Sequence, residues 1–164
     1  MRQTLYEFCC RNDKERLLRQ WDTEKNGGKM PDSVSAGSSA MAWWRCDKGH
    51  SFPMRIAFRT AREQNCPYCT GRKVLAGYND LATVAPDVAA QWHPALNGSL
   101  TPEMVTVSSH RRVWWQCSQG HVWKALVYSR TGEQKCGCPV CGGSLDGARR
   151  VRYEQSLRET AGDL

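Results

Sequence analysis

The sequence predicts a small α+β protein built of two metal-stabilised modules in series, each a β-hairpin plus a short helix with a helical lead-in. Three observations predict it. The chain repeats itself at an offset of about 71 residues; each copy carries a Cys-x₃-His…Cys-Pro-x-Cys quartet; and the segments inside each quartet are rich in Trp, Val, Ile, Phe and Tyr.

The repeat fixes the layout. An offset of 71 superimposes Trp21 on Trp92, Asn26-Gly27 on Asn97-Gly98, Pro31 on Pro102, Trp43-Trp44 on Trp114-Trp115, Cys46 on Cys117, Gly49-His50 on Gly120-His121 and Arg59-Thr60 on Arg130-Thr131. One extra residue enters the second copy, and an offset of 72 then places Cys66-Pro67-Tyr68-Cys69 on Cys138-Pro139-Val140-Cys141 and Gly71 on Gly143. Each copy is longer than a solenoid repeat, so two modules in series are expected: residues 1–76, residues 77–145, and a polar tail or helix over 146–164 that begins at Asp146 and carries Arg149, Arg150 and Arg152. The boundary is expected near Ala76-Gly77-Tyr78.

Each copy reads alike. A helical lead-in ends at Trp21 or Trp92, and an Asn-Gly turn and a proline-containing loop follow. Two strands come next, expected over Ala42–Cys46 and Phe52–Phe58 in the first copy and Val113–Cys117 and Val122–Tyr128 in the second, where these side chains suit a half-buried pleated surface. A polar loop leads to Cys-Pro-x-Cys and a short helix.

Nine cysteines are the outlier in the composition. Met1 to Cys10 hold no apolar stretch of the kind a secretory signal needs, no run approaches a membrane span, and an odd count argues against a full set of disulfides. A cytoplasmic, reducing setting is expected, with no membrane partner, and there such spacings point to metal.

Zinc takes four ligands in a tetrahedron, and thiolates and imidazoles are its preferred donors. A two-residue spacer lets both cysteines of Cys-Pro-x-Cys turn onto one ion; a three-residue spacer suits the longer imidazole arm. Gly49 and Gly120 permit positive φ just before the histidine. The expected ligands are Cys46, His50, Cys66 and Cys69 for one ion, and Cys117, His121, Cys138 and Cys141 for a second. Four soft ligands leave no open position for water, so both zincs are expected to be structural and to supply folding energy that a thin core lacks. Cys136 and Cys138 both lie near Cys141; the match to the first copy selects Cys138 and leaves Cys136 as a spare thiol. Cys9 and Cys10 have no counterpart and are expected to be buried apolar residues. His93 and His110 align with Asp22 and Ser39, which argues against a repeated ligand role.

The pattern Trp-Trp-x-Cys-x₂-Gly-His, an arginine in the following strand region, then Cys-Pro-x-Cys and a small residue, resembles the bacterial and phage probable zinc-ribbon domain family, whose members are described as treble-clef zinc fingers. Trp92-His93-Pro94 with Asn97-Gly98 is similar to that family as well. The first copy departs by carrying Asp22 in the histidine slot and Phe52 where the second has Trp123; neither change touches a ligand. The resemblance covers roughly residues 5–75 and 78–145 and implies two tandem treble-clef-like zinc modules. Such domains occur beside repair-type endonuclease domains, which implies a nucleic-acid link by association alone.

The formal charge is +7, and two centres of three thiolates and one neutral imidazole on Zn²⁺, each net −1, lower it to about +5. A basic balance favours an anionic partner. Candidate nucleic-acid contacts are Arg55, Arg59, Arg72, Lys73, Arg111, Arg112, Lys124 and Arg130, with Arg62 and Lys135 nearby; DNA is expected before RNA. Arg59 and Arg130 admit two readings, phosphate contact or a brace bonding backbone near the metal, and the tryptophan pairs either stack on bases or pack the core. The alternative to nucleic acid is a protein-interaction or adaptor module, docking a nuclease or a defence or repair component. No enzyme is expected: both quartets are saturated, and no phosphate-binding glycine loop or Ser-His-Asp arrangement stands out.

Overall fold

A computed structural model describes residues 3–133, 135–145 and 147–161. The chain divides into two compact units, Met1–Arg72 and Lys73–Leu164. This division falls ahead of the boundary read from sequence because the turn after Arg72 closes on itself. Asn79 Oδ1 accepts from the Leu75 N–H at 2.7 Å, Asn79 Nδ2 donates to the Lys73 carbonyl at 2.9 Å, and Asp80 Oδ2 accepts from the Gly77 N–H at 2.7 Å.

In the first unit, helices α1 (Leu5–Arg11) and α2 (Glu15–Arg19) form the lead-in. A capping box starts α1: the Thr4 hydroxyl accepts from the Glu7 N–H at 3.1 Å, while the Glu7 carboxylate accepts from the Thr4 N–H at 3.0 Å. Strands β1 (Met41–Arg45) and β2 (Ser51–Arg55) pair antiparallel with Trp43 opposite Pro53 and Trp44 opposite Phe52. The lead-in joins this hairpin through an isolated bridge from Trp21 to Trp44. Asn26 clamps the same edge, its Oδ1 accepting from the Trp43 N–H at 2.8 Å and its Nδ2 donating to the Trp43 carbonyl at 3.0 Å. The core gathers Leu5, Cys9, Trp21, Trp44, Phe52, Ile56 and Cys66. Trp44 is fully buried edge-on to Trp21, and its indole N–H donates to the Met54 carbonyl.

The expected second strand is shorter than its composition suggests. It ends at Arg55, and α3 (Ile56–Thr60) takes over, burying Ile56, Arg59 and Thr60 on one face. The i, i+3, i+4 spacing of those residues is a helical face, and Thr60 fixes it by donating to the Ala36 carbonyl at 2.8 Å. Conversely, the helix expected after Cys-Pro-x-Cys is a single turn, with the Thr70 N–H on the Cys66 carbonyl at 3.1 Å and Gly71 ending it at φ 70°.

The second unit repeats this plan with α4 (Leu81–Val84), α5 (Pro86–Ala89), β3 (Arg112–Gln116), β4 (Val122–Leu126) and α6 (Val127–Thr131). Trp114 faces Lys124 and Trp115 faces Trp123, and Asn97 clamps Trp114 as Asn26 clamps Trp43. Here too the strand expected to reach Tyr128 gives way to a helix at Val127, which buries Val127 and Arg130. The repeat extends further toward the N-terminus than the sequence showed. The Leu5 N–H donates to the Val34 carbonyl and the Leu81 N–H to the Val105 carbonyl, both at 2.8 Å, and both leucines are fully buried. Thr4 and Asp80, helix caps in the two copies, thus correspond at an offset of 76, because the first lead-in is longer.

The tail's first residue, Asp146, lies outside the described residues; beyond it, α7 (Gly147–Ala161) is helical and belongs to the second unit. Tyr153 anchors it to the second core, and its hydroxyl accepts from the Lys124 N–H at 3.1 Å on the open edge of β4. In the first unit the same edge position is Pro53, which has no N–H. Among the described residues no helix is long and apolar enough to cross a membrane.

Candidate metal centres

Each centre is assembled from two chain segments. The first is the knuckle between the hairpin strands. Cys46 follows β1 directly and His50 precedes β2; the Cys46 N–H donates to the His50 carbonyl at 3.0 Å and the Gly49 N–H to the Cys46 carbonyl at 2.8 Å. Gly49 sits at φ 84° and Gly120 at φ 77°, where a side chain would be strained, so glycine is required at this bend. The second segment is the Cys-Pro-x-Cys turn, which brings buried Cys66 and exposed Cys69 beside the knuckle.

The resulting geometry fits zinc. Cys46, His50, Cys66 and Cys69 bring their ligand atoms within 4.8 Å of one another, as do Cys117, His121, Cys138 and Cys141. A zinc tetrahedron with bonds of ~2.3 Å to sulfur and ~2.0 Å to nitrogen has S–S edges of about 3.8 Å and S–N edges of about 3.5 Å. In the first centre Cys46 and Cys69 Sγ are 3.8 Å apart, and His50 Nδ1 lies 3.5, 3.8 and 3.3 Å from the sulfurs of Cys46, Cys66 and Cys69. In the second, Cys117 and Cys141 Sγ are 3.9 Å apart, and His121 Nδ1 lies 3.5, 3.7 and 3.3 Å from Cys117, Cys138 and Cys141. These are edge lengths of a coordination tetrahedron and are far beyond the ~2.0 Å of a disulfide. Nδ1 is the histidine atom facing the sulfurs in both copies.

The electrostatics also call for a cation. Burial opposes ionisation of Cys46, but the N–H groups of Lys48 and His50 together with the Cys66 and Cys69 sulfurs hold the thiol below its ordinary value; Gln119, His121, Cys138 and Cys141 do the same for Cys117. Burial pushes the Cys66 thiol up to about 11. Three thiolates this close repel one another, and a divalent cation removes that opposition. Each quartet is therefore a closed four-ligand site for one structural zinc ion.

Cys136 stays outside the second quartet for a backbone reason. Its N–H donates to the Ser129 carbonyl at 2.9 Å, as the Gln64 N–H does to the Phe58 carbonyl at 2.9 Å, so Cys136 occupies the place of Gln64. Cys136→Ser is expected to leave zinc content at two ions per chain, whereas Cys138→Ser lowers it to one; metal analysis of the two variants decides, and the reverse result would reassign the ligand. Cys9 is fully buried in the first core, as expected, but Cys10 is exposed. On α1 it falls on the solvent side, one residue on from the buried face of Leu5 and Cys9.

Of the candidate nucleic-acid contacts, Arg55, Arg72, Lys73, Arg111, Arg112 and Lys124 are exposed. Arg59 and Arg130 are not. They are 3% and 5% exposed, so a phosphate cannot reach them, and they leave that set. Arg59 donates to Gln20 Oε1 and, at 2.7 Å, to the Gln64 carbonyl, with its guanidinium over Trp44 and Phe52. Arg130 donates to Gln91 Oε1 at 2.7 Å and lies over Trp115 and Trp123. Sequence reading missed Gln20 and Gln91, although both precede the aligned tryptophans at the repeat offset. Asp22 and His93 also share one task, which their aligned positions did not reveal. Asp22 Oδ1 accepts from the Lys25 N–H, and His93 Nδ1 from those of Ala95 and Leu96, so each caps the Asn-Gly turn.

The family described as "Probable Treble clef zinc finger domain" matches the chain twice, over residues 17–72 and 88–144, each span holding one complete quartet. A search of curated proteins finds no match.

Proposed function

The chain belongs to the probable treble clef zinc finger family, and from that premise we propose that its two zinc modules are a non-catalytic nucleic-acid-binding unit, with DNA preferred to RNA. One observation carries the reading. Arg55, Arg72, Lys73, Arg111, Arg112 and Lys124 are exposed, and none takes part in an ion pair among the described residues, where Lys14, Arg16, Arg45 and Arg150 do. Cations left without carboxylates suit phosphate contact, which gives affinity without sequence choice. Arg55, Arg112 and Lys124 lie on the hairpins, on the side that carries half-buried Trp43 in the first copy and, in the second, Trp114 buried beneath the Lys124 ammonium.

A second reading, a protein-docking adaptor, draws on Met41, which is 60% exposed at the end of β1 on the same face as Trp43. Salt titration separates the two. If Z phosphates are contacted, log K for duplex DNA falls with log[salt] at a slope of about −0.9Z. The variant Arg55→Ala/Arg111→Ala/Arg112→Ala/Lys124→Ala should flatten that slope by up to about 4 units and weaken binding to all sequences alike, with both zincs retained. Absence of salt-sensitive binding to any nucleic acid at low ionic strength would leave the adaptor reading in its place.

A further inference from the structure

Arg59 and Arg130 are buried cations that pair with no carboxylate among the described residues. Among the described residues, the hydrogen-bond partners of Arg59 are an amide oxygen and a backbone carbonyl, and its Nε has no partner. Arg130 keeps only the Gln91 amide among the described residues; its Nε and Nη1 have no partner. The rings beneath each guanidinium contribute a modest attraction. Neutral partners of this kind do not offset the cost of placing a full positive charge in a core; an anion does.

Each module builds one anion in the same packing. Three thiolates and an imidazole on a dication carry a net −1. The rings holding Arg59 belong to the strands that end in the knuckle: Trp44 lies just ahead of Cys46, Phe52 just after His50, and Cys66 shares their core cluster. Trp115, Trp123 and Cys138 repeat this in the second core. Burial pulls both guanidinium groups below their ordinary value; Cys66, Cys46 and Asp47 favour the charged form of Arg59 against Arg16, and Cys138, Cys136 and Cys117 favour that of Arg130.

We propose that Arg59 and Arg130 are the internal counter-charges of the two metal–thiolate centres, each damping the nucleophilicity of the thiolates beside it and so protecting its zinc from loss to electrophiles. The coupling acts through space onto the metal's ligands, which makes each arginine a positioning residue for charge. In the first module Arg59 is also linked to the knuckle, since Gln20 Nε2 donates to Asp47 Oδ1 at 2.7 Å while Gln20 Oε1 accepts from Arg59. The second module has Ser118 in place of Asp47, so Arg130 answers to its thiolates with less competition, and the larger effect is expected there.

The test is alkylation of the zinc-loaded protein by iodoacetamide. A thiolate sulfur displaces iodide, the S–C bond forming as the C–I pair leaves, and the thioether produced no longer holds zinc. An opposite charge removed from beside a thiolate raises its basicity by ~1–3 pKa units, and with a Brønsted dependence of ~0.4–0.5 this gives about three- to thirtyfold faster attack. Arg130→Gln should therefore speed modification of Cys117, Cys138 and Cys141 and release of their zinc by about that factor. The first centre, read in the same sample by peptide mass spectrometry, keeps its rate; Arg130→Lys stays near wild type; Arg59→Gln produces the mirror pattern.

Equal acceleration in Arg130→Gln and Arg130→Lys would mean the residue only packs, and no acceleration in either would mean its charge does not reach the thiolates; both overturn the proposal. If Arg130→Gln cannot hold zinc, Arg130→Lys decides, supporting the proposal if it retains both ions at the wild-type rate and overturning it if it loses one. Cobalt substitution adds a readout that packing alone does not move. The sulfur-to-metal charge-transfer band should shift to longer wavelength in Arg130→Gln and stay in place in Arg130→Lys, and an unshifted band in Arg130→Gln counts against the proposal.

Discussion

Replacing Cys66 with serine is expected to lower the zinc content from two ions to one and to unfold the first unit while the second stays folded. Cys66 is a ligand and also a 4%-exposed member of the first core, so its loss removes a zinc bond and leaves a polar atom among Trp44, Phe52 and Ile56. Structural zinc contributes apparent binding energies of about 10–16 kcal/mol in small modules, as large as the whole net stability of a typical domain, about 5–15 kcal/mol. The second quartet draws every ligand from its own unit and keeps its metal. Metal analysis and two-dimensional NMR test this together: retention of two zincs, or loss of the second unit's dispersed resonances, would defeat the assignment of independent centres.

Trp115→Ala carries the next largest effect. Trp115 is fully buried, stands edge-on to Trp92 with ring centroids 5.5 Å apart, donates its indole N–H to the Ala125 carbonyl at 3.1 Å, and supports Arg130 at 5.1 Å. Truncation of such a side chain costs about 3–5 kcal/mol through lost burial and the cavity left behind. The second unit should therefore melt well below the first in calorimetry and yield its zinc to a chelator sooner. Arg111→Ala, an exposed change without ion-pair partners among the described residues, should stay within about 0.5 kcal/mol of wild type and serves as the control. A single unchanged transition in Trp115→Ala would show that metal alone, and not the tryptophan core, holds this unit.

The metal quartets were legible in the sequence because coordination chemistry dictates both residue type and spacing, and duplication wrote the answer twice. The hairpins were legible from their aromatic and β-branched residues. The switch to helix at Ile56 and Val127 was not. Ile56-Ala57-Phe58 carries strand propensity, and a five-residue helix is too short to display its own period. Here the buried face of Ile56, Arg59 and Thr60 prevailed over local preference. Charge left a choice open in a similar way. Arg59 admitted a phosphate contact or a brace on backbone near the metal, and only the ring faces of Trp44 and Phe52, contributed from both strands, show that its place is inside. The lead-in correspondence at Leu5 and Leu81 escaped notice because the two copies differ in length there and share few residue types.

Pro53 and Tyr153 show that the duplicated halves have ceased to be interchangeable. A bare strand edge invites a neighbouring molecule to add a strand. The first copy forecloses that by composition, since Pro53 offers no donor at the critical position; the second does so by recruitment, since the Lys124 N–H is engaged by a phenol from the terminal helix. A protein stitched from two first copies would carry its own protection against self-association, whereas one stitched from two second copies would need a helix for each. The last helix thus covers an edge N–H that the first copy does not offer, and the two halves close the same strand position by different chemistry.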